Sequence, residues 1–227
     1  MNNEERMSKV VWKEGSVISI ETRLGLFTLA QMAKSPYLIF FNIFRREQNW
    51  GDVDLNEVPV LFCKAITRQF LKFSNVRKQK VAAPKNDLSL PDKWIHGYSA
   101  SRLVTVWEGT PKERKFVFIG DGGDLVRIDI NNHKGGPYKH RSGVYDEVLE
   151  ENIKDSDVIN SYELTGQAVF PSMNERLYLC SLEGKNVDPE KVIKFNLPIP
   201  DVFDTYINIL SAKDDDDRNA MLSLYKA

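Results

Sequence analysis

A stretch near the N-terminus constrains the fold most, because it contains three strand-like runs separated by two tight turns. The runs cover residues 17–20, 27–32 and 37–44, and they are rich in β-branched and aromatic residues. Leu24-Gly25 and Ser35-Pro36 lie between them, and glycine and proline are typical of tight turns. The pattern predicts a curved β-meander, in which consecutive strands pair antiparallel.

The rest of the chain contains further strand-like runs. Apolar or alternating residues predict strands at 58–66, 102–107, 115–119, 125–130 and 177–182. Between two of these runs, the segment Gly120-Asp-Gly-Gly-Asp124 predicts a hairpin turn, because Asp-Gly and Gly-Gly suit the positive φ angles of such turns.

Helical patterns occur in the second half of the chain. Residues 146–153 combine acidic residues at the start with apolar residues at helical spacing, which predicts a short helix. Asp188-Pro189-Glu190 predicts either an N-cap followed by proline in the first helical turn or a tight turn. Asp201 is predicted to cap the most amphipathic helix, and residues 214–227 to add a short capped helix. The apolar stripe of the Asp201 helix consists of Val202, Phe203, Tyr206, Ile207 and Leu210.

Together these elements predict an α+β protein. We expect a strongly bent antiparallel sheet or barrel-like β-rich core, with a few peripheral helices and a helix at the C-terminal end. The β-rich domain is predicted to cover residues 10–130. A mixed segment at 131–227 is expected to pack on it, either as a second unit or as part of one continuous domain.

Composition limits the kinds of partner. The 227 residues are 42% hydrophobic, which favours a packed core over disorder, and the formal net charge of −1 provides no general attraction to nucleic acids or anionic membranes. No apolar run approaches the roughly 20 residues that cross a bilayer. The polar first residues lack the order of a secretory signal. We therefore expect a cytoplasmic protein with no leader and no membrane partner.

The two cysteines fit the same setting. Cys63 and Cys180 each lie within an apolar run, as reduced cysteines of protein cores do. The sequence does not determine whether they form a disulfide, because it does not give the distance between their Cα atoms. Neither is predicted to be a nucleophile.

Charge is distributed in blocks along the chain. The segment 64–85 has seven basic residues and no acidic one, whereas 146–163 has seven acidic residues and one basic one, and Asp214 to Asp217 are four consecutive carboxylates. Most such blocks are solvated faces. An acidic block is also suited to a cationic partner, because complementary potentials accelerate encounter. The basic segment, which includes Phe70 and Phe73, is the alternative site for single-stranded nucleic acid.

Candidate metal ligands are sparse. Asp121 and Asp124 are candidates to hold a divalent cation together with Asp129, but the regular oxygen positions and the closing glutamate of a calcium loop are missing. The histidines show none of the usual zinc spacings. They are His96, His133 and His140. A strand is predicted after the glycine-rich segment at 120–124, where a phosphate-binding loop needs a helix, and this excludes nucleotide binding there.

The order of the first elements resembles the immunity protein 26 family of bacterial polymorphic toxin systems. Gly15 opens the first strand, a charged turn containing Gly25 follows, and the third strand contains Phe40-Phe41. Residues 59–62 and 94–97 are also similar to segments of that family. The resemblance implies a protein that binds and neutralises a cognate toxin domain, without catalysis. The immunity protein 26 family is also described as including phosphotriesterases, so the resemblance leaves a metal-dependent hydrolase of phosphotriester type as an alternative.

An immunity protein would act by occluding the active site of its toxin. We therefore expect a cognate toxin domain as the partner, no cofactor, no metal, no small-molecule substrate and no nucleic acid. The predicted contact residues are the acidic side chains nearest the glycine-rich segment and in the acidic block: Asp121, Asp124, Asp146, Glu147, Glu150 and Glu151.

Overall fold

The computed structural model describes residues 10–84, 88–130 and 145–225, and it has an α+β architecture. The largest element is a five-stranded antiparallel sheet with the strand order β4-β3-β2-β1-β5. It confirms the predicted meander. Among the described residues its two edges, β4 and β5, do not pair, so the sheet is not a closed barrel. Its strands are β1 (Val17–Glu21), β2 (Phe27–Met32), β3 (Tyr37–Arg45), β4 (Val60–Ala65) and β5 (Val76–Lys78), and helix α1 (Arg68–Phe73) precedes β5.

Two smaller sheets follow. A three-stranded sheet has the order β10-β9-β6, and a two-stranded hairpin consists of β7 and β8. The bounds are β6 (Lys93–Gly97), β7 (Ser101–Val106), β8 (Arg114–Ile119), β9 (Gly123–Arg127) and β10 (Glu147–Glu150).

The helices are short, and most of them follow β10. They are α2 (Ser156–Ser161), α3 (Ser172–Glu183), α4 (Pro189–Lys194), α5 (Asp204–Ser211) and α6 (Asp215–Leu222), with a 3₁₀ turn at Asp201–Phe203. Asp188 caps α4 by accepting hydrogen bonds from the N–H groups of Glu190 and Lys191, as predicted. No helix in the described part of the chain is long and apolar enough to span a membrane.

Strands β1 to β4 are buried on both faces over most of their length, which explains why they are largely apolar instead of regularly alternating. One face packs Ile18, Ile20 and Phe40 against Leu177 of α3. The other face packs partly against Trp94 and its neighbours in the small sheets. These clusters contain residues from both sides of residue 130, and the predicted domain boundary there stays a prediction.

The structure corrects two predicted elements. The segment 177–182 is part of helix α3, not a strand. Leu177 and Cys180 face one core cluster and Leu179 faces another, so both sides of the helix are apolar and the helical period is hidden. The segment 146–153 contains strand β10 instead of a helix, because Val148 pairs with Val126 of β9.

Two turn and cap predictions are also wrong. The segment Gly120 to Asp124 does not form a hairpin turn, because β8 pairs with β7 whereas β9 pairs with β6 and β10. Asp201 begins the 3₁₀ turn, and the residue at the N-cap of α5 is Phe203, which makes no side-chain cap hydrogen bond. The predicted stripe is partly correct, since Phe203, Tyr206 and Ile207 are buried.

A buried ionic cluster joins the sheet to the helices. The Nη2 of Arg176, on α3, donates to both carboxylate oxygens of Glu163 at 2.8 and 2.9 Å. Its Nε donates to the carbonyl of Val187 at 2.9 Å. Nη1 lies 3.1 Å from Oδ2 of Asp188, an ion pair without hydrogen-bond geometry. The guanidinium also stacks 4.0 Å from the ring centre of Phe62 on β4.

Two buried lysines complete this cluster. The Nζ of Lys191 donates to the carbonyls of Ile159 and Tyr162 at 2.9 and 3.0 Å, at the C-terminal end of α2, where a cation is favoured. The Nζ of Lys64 donates to the carbonyl of Leu164 at 2.8 Å. Burial alone would raise the pKa of Glu163, but the positive charges of Arg176, Lys191 and Lys64 outweigh it and lower this pKa to about 2.

We predict that Glu163→Gln destabilises the fold by about 3–5 kcal/mol, because it leaves a buried guanidinium short of negative charge. Urea unfolding followed by circular dichroism measures the change. Glu190→Gln is the matched control: its side chain is 38% exposed, and the expected change is within about 0.5 kcal/mol. Equal effects of the two substitutions would contradict a structural role for the cluster.

The lowered pKa of Glu163 also predicts that the stability of the fold depends on pH. Its folded pKa is lower than the ordinary 4.5, so the unfolded chain binds the proton more readily. The stabilisation is complete above the ordinary pKa and is lost as the pH falls from about 4.5 to about 2. As the pH is lowered through this range, the urea concentration at the unfolding midpoint should fall less steeply for Glu163→Gln than for the wild type. If the midpoints of both proteins fell equally with pH, Glu163 would not be the group responsible.

Candidate partner-binding surface

The hairpin of β7 and β8 has one buried and one exposed apolar face. Val104, Val106, Phe116 and Phe118 point inward and pack against α5 and its neighbours. On the opposite side, which we call the β7–β8 outer face, the exposed residues are Ser101, Leu103, Thr105, Lys115, Val117 and Ile119.

Three apolar side chains form the centre of this outer face. Leu103 is 67% exposed, Val117 71% and Ile119 62%. Leu103 lies directly opposite Val117, and Ser101 lies opposite Ile119. Because directly opposed side chains of an antiparallel pair are neighbours, the three form one contiguous patch. Contiguous exposed apolar side chains are typical of interaction sites, whereas single ones are not.

Helix α4 supports the end of this hairpin. The Nζ of Lys194 donates to the carbonyl of Ile119 at 3.0 Å. Arg102, on β7, donates from Nη2 to the carbonyl of Ile193 on α4 at 2.5 Å and from Nε to the carbonyl of Gly120 at 3.0 Å. Gly120 has a φ of 129°, and a Cβ there would lie 2.2 Å from the lysine Nζ. A glycine is therefore required for this approach. These contacts hold the end of the outer face in one conformation.

Four of the six predicted acidic residues lie beyond that end. Asp121 follows directly and accepts a hydrogen bond from Asn196 at 2.9 Å. Asp124 accepts hydrogen bonds from the hydroxyl of Tyr98 at 2.5 Å and from the N–H of Asn152 at 2.8 Å. The hydrogen bond to Asp124 is the main cause of the raised pKa of Tyr98. The other two acidic residues at this end are Glu150 and Glu151.

Glu150 and Glu151 are exposed, and within the described ranges neither side chain makes a hydrogen bond or an ion pair. The remaining two predicted residues lie at the other end of β10. Asp146 accepts a hydrogen bond from the N–H of Asp129 at 2.6 Å, and Glu147 forms an ion pair with Arg127. The structure thus separates the six acidic residues into a group of four and a group of two.

The apolar centre of the outer face was missed by the sequence reasoning. The sequence did contain an indication of it. Leu103 and Val104 are both apolar, and because consecutive residues of a strand point to opposite faces, one of the two must lie on the outer face. Tryptophans, which are frequent interface anchors, do not mark this surface. Trp50 and Trp94 are buried at 3% and 1% exposure, and Trp107 is half-buried.

The alternative metal site receives little support from the geometry. No group of three potential ligands converges within the described part of the chain. Asp129 lies beside Asp146, away from Asp121 and Asp124. His96 is half-buried beside Tyr145, and burial lowers its pKa. His133 and His140 lie outside the described residues.

The basic segment is also divided by the fold. Lys64 is buried in the ionic cluster. Arg68 and Lys72 are exposed on α1, whereas Arg77 and Lys78 are exposed on β5. Phe70 is fully buried and cannot stack on a base, but Phe73 is 37% exposed. The described residues therefore do not form one continuous basic and aromatic groove.

Comparison with known proteins gave one finding. A family model described as Domain of unknown function (DUF8309) matches residues 7–204. The match includes the hairpin and the ionic cluster but ends before most of α5 and all of α6. No curated protein and no solved structure matches the chain.

Both thiols are free and buried. Burial raises the pKa of Cys63 to about 12 and that of Cys180 to about 11, so neither is a thiolate near neutral pH. We predict that iodoacetamide at about pH 8 leaves both unmodified in the native protein and alkylates both in urea, as measured by mass spectrometry. Rapid alkylation of either native thiol would contradict this environment.

Proposed function

This chain belongs to the family described as Domain of unknown function (DUF8309), and we propose that it is an immunity protein that binds a bacterial toxin domain. The protein neutralises the toxin by covering its active site and has no catalysis of its own. It acts in the cytoplasm, where the toxin would otherwise act. The resemblance of the first strands to the immunity protein 26 family supports this assignment.

The β7–β8 outer face is the observation that carries the proposal. Leu103, Val117 and Ile119 are each more than 60% exposed and adjacent to one another. Burying such a side chain contributes up to about 1.5–3 kcal/mol. Three together provide the apolar centre that a stable interface needs.

The acidic residues beyond the hairpin supply charge complementarity. The side chain of Asp121 is 56% exposed at the end of the apolar patch, and Glu150 and Glu151 are exposed nearby. An apolar patch with a negative rim suits a toxin whose active site is basic. The rim contributes chiefly to the association rate and to the choice of partner.

The support from α4 favours a blocking mechanism. Lys194 of α4 donates to the carbonyl of Ile119, and Arg102 of β7 donates to the carbonyl of Ile193 on α4. A surface that already has its bound conformation loses less entropy on association, which increases affinity. A rigid obstacle in the toxin's active site requires no movement of the immunity protein.

The direct test is co-expression with the adjacent open reading frame in a bacterial host. We predict that the two proteins purify as a stoichiometric complex, and that the host dies when this chain is omitted. Absence of both a complex and protection would overturn the proposal. Metal analysis and a phosphotriester screen would then take priority.

A surface variant tests the location of the interface. We predict that Val117→Asp with Ile119→Asp weakens toxin binding at least about tenfold and abolishes protection, because it places charge in the apolar centre. Leu182→Asp is the matched control and should bind like the wild type, since Leu182 is 54% exposed on α3, a helix that packs against the buried side of the hairpin and not its outer face. Binding is measured by calorimetry. An unchanged Kd for the double variant would exclude this face.

A further inference from the structure

The hydrogen-bonding pattern of the hairpin determines which backbone groups point away from it. The N–H of Gly120 donates to the carbonyl of Ala100 at 2.8 Å, so these two residues form a hydrogen-bonded pair of the antiparallel ladder. Such pairs alternate along a ladder. The residues whose backbone groups point outward are therefore Ser101, Leu103 and Thr105 on β7 and Lys115, Val117 and Ile119 on β8.

The two edges of the hairpin differ in protection. On β8, the outward carbonyl of Ile119 accepts a hydrogen bond from Lys194, and the strand carries an exposed lysine, Lys115, whose Nζ forms an ion pair with Glu113 at 2.9 Å. Lysine on an edge strand discourages pairing with another strand. On β7, the three outward residues carry no charge, and their backbone groups bind no other described residue. The edge of β7 is thus open.

We propose that β7 pairs antiparallel with β7 of a second copy of this chain, about a twofold axis at Leu103. This register places Leu103 opposite Leu103 of the second copy, and Ser101 opposite Thr105. About six backbone hydrogen bonds form, two for each hydrogen-bonded pair. The two hairpins become a continuous four-stranded sheet with the order β8-β7-β7-β8.

Side-chain charge and polarity agree with this register. The central row of the exposed face consists of Val117 and Leu103 from each copy, and it is entirely apolar. Lys115 of each copy lies in an outer row, beside Thr105, so no like charges are directly opposed.

Assembly stops at two copies because the remaining edges are the protected edges of β8, and a twofold contact of this kind is closed. This inference does not depend on the proposed function. In the dimer the backbone groups at the edge of β7 are hydrogen-bonded, whereas the side chains of the outer face stay exposed.

Sedimentation velocity of the full chain over about 1–200 µM tests the proposal. We expect a concentration-dependent dimer for the wild type. Leu103→Pro removes an outward N–H without removing a bond to β8, and it should weaken dimerisation at least about tenfold. Val117→Pro, the matched control on the protected edge, should dimerise like the wild type. A wild type that sediments as a monomer at every concentration would overturn the proposal. The edge of β7 would then be available to a strand of a different protein.

A charge exchange at the twofold axis tests the register. Leu103→Lys and Leu103→Glu should each sediment as single chains, because like charges then lie directly opposite each other. Mixing the two variants should restore a dimer, which also shows that both are folded. Pairing at Leu103 would be excluded if either variant alone formed dimers. It would also be excluded if the mixture of the two variants formed no dimer although the wild type does.

Discussion

The buried guanidinium of Arg176 is the interaction on which the rest of the structure depends. It stacks on Phe62 of the large sheet, binds Glu163 beside the end of α2, and holds Val187 and Asp188 at the start of α4. An unpaired buried charge is strongly destabilising, so these segments are held in one arrangement wherever the chain is folded.

The exposed hairpin depends on that arrangement. Asp188 both caps α4 and pairs with Arg176, and α4 in turn carries Lys194, which binds the end of β8. A surface with three exposed apolar residues is therefore positioned by polar contacts that lie beneath it. Evolution of a new partner specificity could alter Leu103, Val117 or Ile119 without changing the buried contacts, because the outward side chains do not take part in them.

The sequence predicted local features better than long-range ones. The meander was predictable because Gly25 and Pro36 interrupt long β-branched and aromatic runs. Helix α3 was not, because its apolar residues contact two different core clusters and lose their periodicity. The hairpin turn predicted at 120–124 does not form for another reason. A local preference for a turn does not determine which sheet the next strand joins, and β9 pairs with β6 while β8 pairs with β7.

The candidate surface was predictable only in part. The acidic residues were visible as a charge block, but their separation into two groups depends on the pairing of β9 with β10. The ionic cluster joins residues about 100 positions apart, and no local pattern indicates that Lys64 and Glu163 are buried together. Burial of charge follows from tertiary packing, which sequence periodicity does not describe.

Toxin binding at the β7–β8 outer face can be measured by hydrogen exchange with mass spectrometry, comparing the free chain with its complex with the product of the adjacent reading frame. We expect slower exchange on binding to be concentrated in peptides covering residues 101–121, with smaller effects around Glu150 and Glu151. Slower exchange confined to other parts of the chain, with residues 101–121 unchanged, would contradict the assignment of the β7–β8 outer face as the toxin-binding surface.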